Sequence, residues 1–283
     1  MPKLTGMPIE DRMKLYRKAM RLHKERGWGD KRIAKALKIV SVNTVGGWLY
    51  HDYTPLTTGN PHMPNLNPSP ELSYVIGVIS GDGWLSAISI RAEQRIKKII
   101  GLEVKDRDLI VGFNKSLCKV LLKKKPYAIQ QRKTRKLFAI RATSKYLYDF
   151  LDKGWQNLKQ IIEKYPANFI RALADCEGSI TFGRIRLYNT DEALLKYVKK
   201  LLLKKFNIRS EISVIHGERF ERSIKGRKVK YSKPVYALSI ASKDSLMKFR
   251  ENIGFSIARK DEKLQRITME NNSIGEMNSP PFL

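Results

Sequence analysis

The chain has 283 residues, 42% of them hydrophobic, and its 55 Lys and Arg against 27 Asp and Glu give a formal charge of +28. This length holds one large domain or two to three small ones; no apolar run is long enough to span a bilayer, no signal-peptide pattern follows Met1, and two cysteines with four histidines make neither a disulfide framework nor a zinc constellation. A lysine-rich solvated surface would carry roughly balanced acids, and here the acids are missing by half, so a polyanionic partner is expected, with nucleic acid ahead of a membrane.

Between Ile9 and Arg26, Met13, Leu15, Tyr16, Ala19, Met20 and Leu22 fall near helical period, and Gly27-Trp28-Gly29 breaks the run. Asp30 is expected to cap a short helix, Lys31–Leu37, and a turn at Lys38–Val40 leads to a second, Ser41–Leu49. The pair resembles a helix-turn-helix, with Ser41, Asn43 and Thr44 as groove candidates. An ordinary three-helix bundle is the alternative, because Gly46-Gly47 fits a helix interior poorly. Pro55, Pro61, Pro64, Pro68 and Pro70, with Gly59, Asn60 and Asn67, make residues 54–70 a linker after a first domain at 1–53.

From Glu71 the order of elements repeats. Strands are expected at Trp84–Ala92 and Ile96–Val104, a helix from Asp106 to about Leu122, a hairpin of Tyr127–Arg132 with Leu137–Ala142, and a helix from Ser144 to Lys153. The second copy has strands at Ser179–Phe182 and Ile185–Tyr188, a helix at Asp191–Phe206, and a hairpin joining Ser210–His216 to Val235–Ile240. Helices follow at Lys243–Ile253 and Arg259–Met269. Asp106 and Asp191 are each expected to cap the helix that follows. Each copy reads α-β-β-α-β-β-α, over 71–156 and 157–270, with a flexible tail at 271–283. The basic insert His216–Pro234 either wraps a nucleic-acid backbone or forms a loose loop.

Each copy opens on a mostly apolar run that closes in an acid and a glycine: Val75-Ile76-Gly77-Val78-Ile79-Ser80-Gly81-Asp82-Gly83 and Ile170-Arg171-Ala172-Leu173-Ala174-Asp175-Cys176-Glu177-Gly178. A glycine commonly closes a helix in the left-handed conformation. The acid is less easily explained, because a carboxylate in the last turn sits at the negative end of the helix dipole. Two such acids at matching positions point to a bound cation. Small residues four apart, Gly77 with Gly81 and Ala172 with Cys176, would let the two helices pack backbone to backbone.

These paired runs, with the lead-in Tyr165-Pro166-Ala167-Asn168-Phe169, resemble the double motif of the single-chain, pseudo-symmetric LAGLIDADG homing endonucleases, over residues 71–270. The resemblance implies an α+β fold: two αββαββα repeats forming a DNA-binding saddle, beside the small all-α helix-turn-helix domain. It implies a site-specific enzyme that makes double-strand breaks in a long target, with Asp82 and Glu177 holding Mg²⁺ at the pseudo-two-fold axis and Mn²⁺ able to substitute. Main-chain carbonyls of Gly81 and Cys176 are further ligand candidates, and Lys105 and Lys260 are the candidate basic groups near the scissile phosphates. By register the counterpart of Lys105 is Thr190, beside Asn189, a departure from the family pattern.

The sheets would read DNA through Arg91, Glu93 and Arg95; Gln131, Lys133 and Arg135; and Arg184 and Arg186, with Arg227 and Lys228 of the insert on the backbone. Ile88, Ile90, Phe138 and Ile140 would pack inward. The implied partner is double-stranded DNA, bound by a monomer in the cytoplasm of a prokaryote, at the nucleoid, and richness in lysine and isoleucine leans toward an archaeal thermophile. A binding protein on the same fold, either an intron-RNA maturase or a transcriptional regulator, is the alternative; the chain ends do not read as those of an intein.

Overall fold

The structure, a computed structural model, describes residues 7–38, 40–51, 53–55, 63–90, 95–132, 136–217, 220–224, 227–231 and 233–276. The chain divides into two compact units between Met63 and Pro64. From there on it belongs to the second unit: Asn65 N–H donates to Val120 O at 2.7 Å and Leu66 packs on that unit's core. The linker residues 56–62 lie outside the described residues.

The first unit holds three helices, α1 (Ile9–Arg26), α2 (Asp30–Leu37) and α3 (Val42–Tyr50). Gly27 ends α1 with φ +63°, the left-handed closure that glycine permits. Gly29, not Asp30, is the N-cap of α2; Asp30 is its first residue and accepts from Lys31 N at 2.8 Å. Ile33, Ala34, Leu37, Val45 and Trp48 form a core against Ala19, with Tyr16 edge-on to Trp48 at 5.6 Å. Gly46 and Gly47 do lie inside α3. At Gly47 packing overrides helix propensity, because a Cβ there would stand 2.8 Å from the Tyr53 ring.

In the second unit, α4 (Pro70–Ser80) begins one residue earlier than expected, with Pro70 in the first turn and Ser69 Oγ accepting from Leu72 N. It leads through β1 (Gly83–Ile90), β2 (Arg95–Val104), α5 (Arg107–Val120), β3 (Gln130–Arg132), β4 (Leu137–Thr143) and α6 (Lys145–Leu151). A turn of 3-10 helix and α7 (Lys159–Lys164), both unforeseen, join the repeats. The second copy is α8 (Pro166–Glu177), β5 (Gly178–Thr181), β6 (Arg184–Asn189), α9 (Glu192–Phe206), β7 (Glu211–His216), then β8 (Phe220–Ile224) with β9 (Arg227–Tyr231), then β10 (Val235–Ile240), α10 (Lys243–Asn252) and α11 (Ala258–Glu276). The sheets run β1-β2-β4-β3 and β5-β6-β10-β7, all antiparallel, so β10 and β7 stand where β4 and β3 stand in the first. The chain is thus an α+β protein with a duplicated topology.

Helices cover one face of each sheet. Ile100, Leu102, Ile140 and Ala142 of the first and Ile185, Leu187, Leu238 and Ile240 of the second join one core with α4 and α8. Several expectations are corrected. Within the insert, Phe220–Ile224 and Arg227–Tyr231 pair as the antiparallel hairpin β8–β9 rather than forming a loose loop. Residues 271–276 continue α11 instead of beginning a tail. Ile88 is 48% exposed, because it alternates with the inward Leu85 on the opposite face of β1. Asp191 caps α9, accepting from Leu194 N at 3.0 Å; Asp106 holds the N-cap position of α5 but makes no side-chain cap hydrogen bond, its carboxylate being paired with Arg259 at 2.8 and 2.7 Å. Among the described residues no helix is long and apolar enough to cross a membrane.

Candidate active site and nucleic-acid face

The helices that open the two repeats, α4 and α8, pack through their small residues. A Cβ added at Gly77 would stand 2.6 Å from Ala172 Cβ and 2.6 Å from Phe169 O; one at Gly81 would stand 2.7 Å from Cys176 Cβ. Only glycine lets the helices approach this closely. The closing glycines behave otherwise than expected. Gly178 has φ −84°, outside the left-handed region, and Gly83 does not adopt a positive φ either. Both are required by space: a Cβ at Gly83 would meet Val78 O at 2.9 Å, and one at Gly178 would meet Ala174 O at 2.2 Å. Each strand therefore leaves tight against its own helix, which fixes the direction of the acid before it.

Glu177 is the last residue of α8, and Asp82 lies in the turn after α4. Glu177 Cγ comes within 3.6 Å of the Cβ position at Gly81, the residue before Asp82, so the two acids share one end of the helix pair. Burial, then the charge of Asp82, pushes Glu177 up to about 7, against the opposing pull of Lys260. Asp82 is also raised, first by desolvation and further by Asp106, although its side chain still reaches solvent. Burial likewise pushes the Cys176 thiol up, leaving it a packed neutral group.

Lys260 departs from its expected place beside a phosphate. It is 6% exposed, and its Nζ donates to Ala174 O at 3.0 Å and Asp175 O at 2.6 Å. It is a buried cation at the carbonyl end of α8, where a positive charge opposes the helix dipole. Burial lowers its pKa, while the charge of Asp175 opposes that shift. Lys105 is exposed at the end of β2, next to the Asp106–Arg259 pair.

The aspartate inside the second motif, Asp175, belongs to the matching motif but was given no role from the sequence, yet it ties the repeats together. It is 1% exposed and accepts from Tyr74 Oη of α4 at 3.1 Å, from Ser256 N at 2.9 Å and from Ser256 Oγ. An acid within an otherwise apolar run was the available signal, since such a group must be hydrogen-bonded. Burial, the dominant cause, raises its pKa.

Among the described residues no cluster of three or more His, Cys, Asp or Glu converges, so no closed protein cage for a metal exists there. The donor set that does converge, two oxygen acids raised by burial, suits a hard cation that keeps water and shares substrate oxygens. The carbonyl of Gly81 immediately precedes Asp82, and that of Cys176 precedes Glu177.

Sheet register sorts the DNA-binding candidates. Trp84, Gly101 and Arg141 stand side by side across β1, β2 and β4; the indole covers Gly101, and the guanidinium lies 5.6 Å from the ring centre. Lys98, on the opposite parity of β2, pairs with Asp149 of α6, so the Trp84 face is turned away from the helices. Gln131 pairs with Phe138, which packs on the core, so it belongs to the helix side; Gln130 and Arg132 take the outer face, Arg132 with Glu103 at 3.7 Å. A strand of three residues carried too little alternation to reveal this parity. In the second sheet Arg184 and Arg186 alternate with buried Ile185 and Leu187 and stand on the outer face. Arg95 pairs with Ile90 in register, and Arg227 and Lys228 lie in β9 opposite Ile224 and Ser223. Arg91, Glu93, Lys133 and Arg135 lie outside the described residues. In the first unit Asn43 is exposed, whereas Ser41 uses its hydroxyl to cap α3, accepting from Thr44 N at 3.2 Å and meeting Thr44 Oγ1 at 2.9 Å.

Residues 164–254 match the LAGLIDADG-like domain family. The uncharacterized protein MJ0398 of Methanocaldococcus jannaschii is 32% identical over 228 residues, 81% of this chain and 82% of its own. Homing endonuclease I-DmoI of Desulfurococcus mucosus is 27% identical over 142 residues, 49% of this chain and 72% of that enzyme. A structure of mesophilic variants of I-DmoI superposes with a TM-score of 0.51 at 25% identity, covering 66% of this chain and 92% of that one. A further I-DmoI structure, a variant with its nicked target DNA and 2 mM Mn, has a TM-score of 0.50 at 25% identity, covering 66% and 96%. With two repeats of one strand order meeting through the small residues of α4 and α8, and with these relatives, the chain belongs to the LAGLIDADG family.

Proposed function

We propose that this protein is a site-specific DNA endonuclease that makes Mg²⁺-dependent double-strand breaks. The observation that carries the reading is the acid pair: Asp82 and Glu177, one from each repeat, brought to one end of the α4–α8 contact with both pKa values raised. Helix ends ordinarily avoid carboxylates, and a divalent cation offsets both the dipole and the mutual repulsion. I-DmoI, found with nicked target DNA and Mn, supports the same use of DNA and metal.

In this mechanism Asp82 and Glu177, with the carbonyls of Gly81 and Cys176, hold Mg²⁺ or Mn²⁺. The chemistry that a divalent cation held there would supply is a lowered pKa for the attacking water and charge neutralisation at the leaving oxygen. Each acid serves one strand. Lys260 and the Gly77–Ala172 contact hold the end of α8 so that Glu177 keeps its place, while Lys105 contacts phosphate from the open side. The outer faces of the two sheets, with Arg132, Arg141, Arg184 and Arg186, lie along the duplex. The three-helix unit lengthens the footprint through the exposed side of α3. One chain supplies both acids, so the active form is a monomer.

The test is a cleavage selection. A genomic or randomised duplex library is incubated with the protein, in Mg²⁺ and separately in EDTA, and the ends are sequenced. Recurrent Mg²⁺-dependent double-strand breaks at one motif establish the nuclease. Selective binding without breaks moves the assignment to a DNA- or intron-RNA-binding protein on this fold.

A further inference from the structure

The β5–β6 hairpin turns on two residues, Phe182 and Gly183, between the paired Thr181 and Arg184. Both are left-handed, with φ +51° and +69°. Two-residue hairpin turns favour this geometry because it matches strand twist, and they favour Asn-Gly or Asp-Gly because most side chains resist positive φ. Here the first position carries an aromatic ring, among the residues least suited to it.

Nothing in the fold compensates. Phe182 is 91% exposed, and the next most exposed large apolar side chain among those described, Ile96, is at 64%. The ring contributes to no core and is not a surface residue that drifted partly out of one. A side chain that is both conformationally strained and fully solvated is stabilised by folding in neither respect. Strain of this kind collects where a residue acts.

The surroundings give the partner's chemistry. The hairpin's second strand presents Arg184 and Arg186 on the outer sheet face, and Arg184 Nε is buried without a hydrogen-bond partner. A flat apolar group at a tip backed by arginines matches a stacked base flanked by phosphates; an apolar protein surface would leave those guanidinium groups without counter-charge. Apolar side chains that enter base steps partly unstack and bend the duplex.

We propose that Phe182 is a base-stacking wedge: in the DNA complex its ring inserts against a base step at the tip of the β5–β6 hairpin, and this insertion bends the flank of the duplex bound by the second repeat. The left-handed backbone at position 182 is what aims the ring beyond the sheet. The proposal rests on the chain binding duplex DNA, but not on cleavage. The equivalent turn of the first repeat, residues 91–94, lies outside the described residues.

The experiment uses the full chain in EDTA with a duplex recovered by affinity selection. 2-Aminopurine, which brightens when unstacked, replaces single bases across the half bound by the second repeat. Wild-type protein brightens the probe at one step, and Phe182→Ala abolishes that signal while weakening binding about tenfold. Phe182→Asn, which suits the turn, raises Tm by about 2–4 °C yet loses the signal as well. Opposite movements of stability and binding are the signature of a functional strain. Equal brightening by Phe182→Ala, or no brightening by bound wild-type protein, overturns the wedge. So does a wild-type chain that self-associates without DNA and becomes monomeric on Phe182→Ala. Cleavage absent with the wedge signal present removes only the nuclease reading, whereas failure to bind any duplex removes both.

Discussion

Gly77 faces Ala172 so closely that a methyl group at position 77 would sit 2.6 Å from the alanine Cβ and 2.6 Å from Phe169 O. The second of those neighbours is backbone and cannot swing away. The two repeats must therefore shift apart to accept any side chain, and the acids at the end of the helix pair shift with them.

Gly77→Ala is accordingly expected to destabilise the second unit by about 1–3 kcal/mol through overpacking, read from urea denaturation. In a nuclease assay it should lose more activity than its folded fraction accounts for. Wild-type stability would show that the helices slide without strain.

The pH dependence follows from Glu177, whose pKa moves from 4.5 to about 7 in the fold. Between those values the folded protein binds a proton that the unfolded chain has released, so stability falls as pH rises through this window and levels off above it. Part of the full shift is screened by solvent, leaving a loss of ~1–3 kcal/mol. Glu177→Gln should flatten that slope, and Mg²⁺ at a hundredfold excess over its dissociation constant should restore about 2.7 kcal/mol to the wild type at pH 8 but much less to the variant. Thermal melts from pH 4 to 8, with and without Mg²⁺, check both. A flat wild-type profile would contradict the burial of this acid.

Lys260→Met removes the cation that satisfies the Ala174 and Asp175 carbonyls. The buried Asp175 carbonyl loses its donor, while Ala174 O keeps the Gly178 N–H, at a cost of about 1–3 kcal/mol. Both acids lose a charge that lowers their pKa values. Denaturant midpoints separate this from a purely phosphate-binding lysine, whose removal would leave stability unchanged.

Removing residues 1–60 tests the helical unit. Its core shares no residue with that of the second unit, so the remainder should stay folded. Duplex affinity should fall, and the slope of log K against log salt should flatten by about 0.9 for each phosphate that the unit neutralises. An unchanged footprint and slope would mean that α3 does not touch DNA.

Much of this was legible because duplication leaves a mark that tolerates divergence. The repeat order, Asp82 with Glu177, and the small residues that pair α4 with α8 could all be read from spacing alone. The remainder depended on tertiary geometry. Gly83 and Gly178 looked like left-handed helix ends, yet they answer to carbonyls a few residues back, which spacing does not encode. Lys260 was expected beside a scissile phosphate, and only the docking of α11 shows that it serves the end of α8 instead. Gln131 and Gln130 are interchangeable until the pairing of β3 with Phe138 in β4 decides which one faces outward. Phe182 read as the last residue of a strand, yet β5 ends at Thr181 and Phe182 opens the turn; nothing in the sequence distinguishes a strained, solvated ring from one folded back onto the sheet.

The most direct test of the acid pair is strand cleavage of the selected duplex by wild-type, Asp82→Asn and Glu177→Gln proteins in Mg²⁺, with binding measured in parallel. Both variants should hold the DNA with near wild-type affinity and lose double-strand cleavage by on the order of 10²-fold or more. Normal double-strand cutting by either variant would contradict the assignment of Asp82 and Glu177.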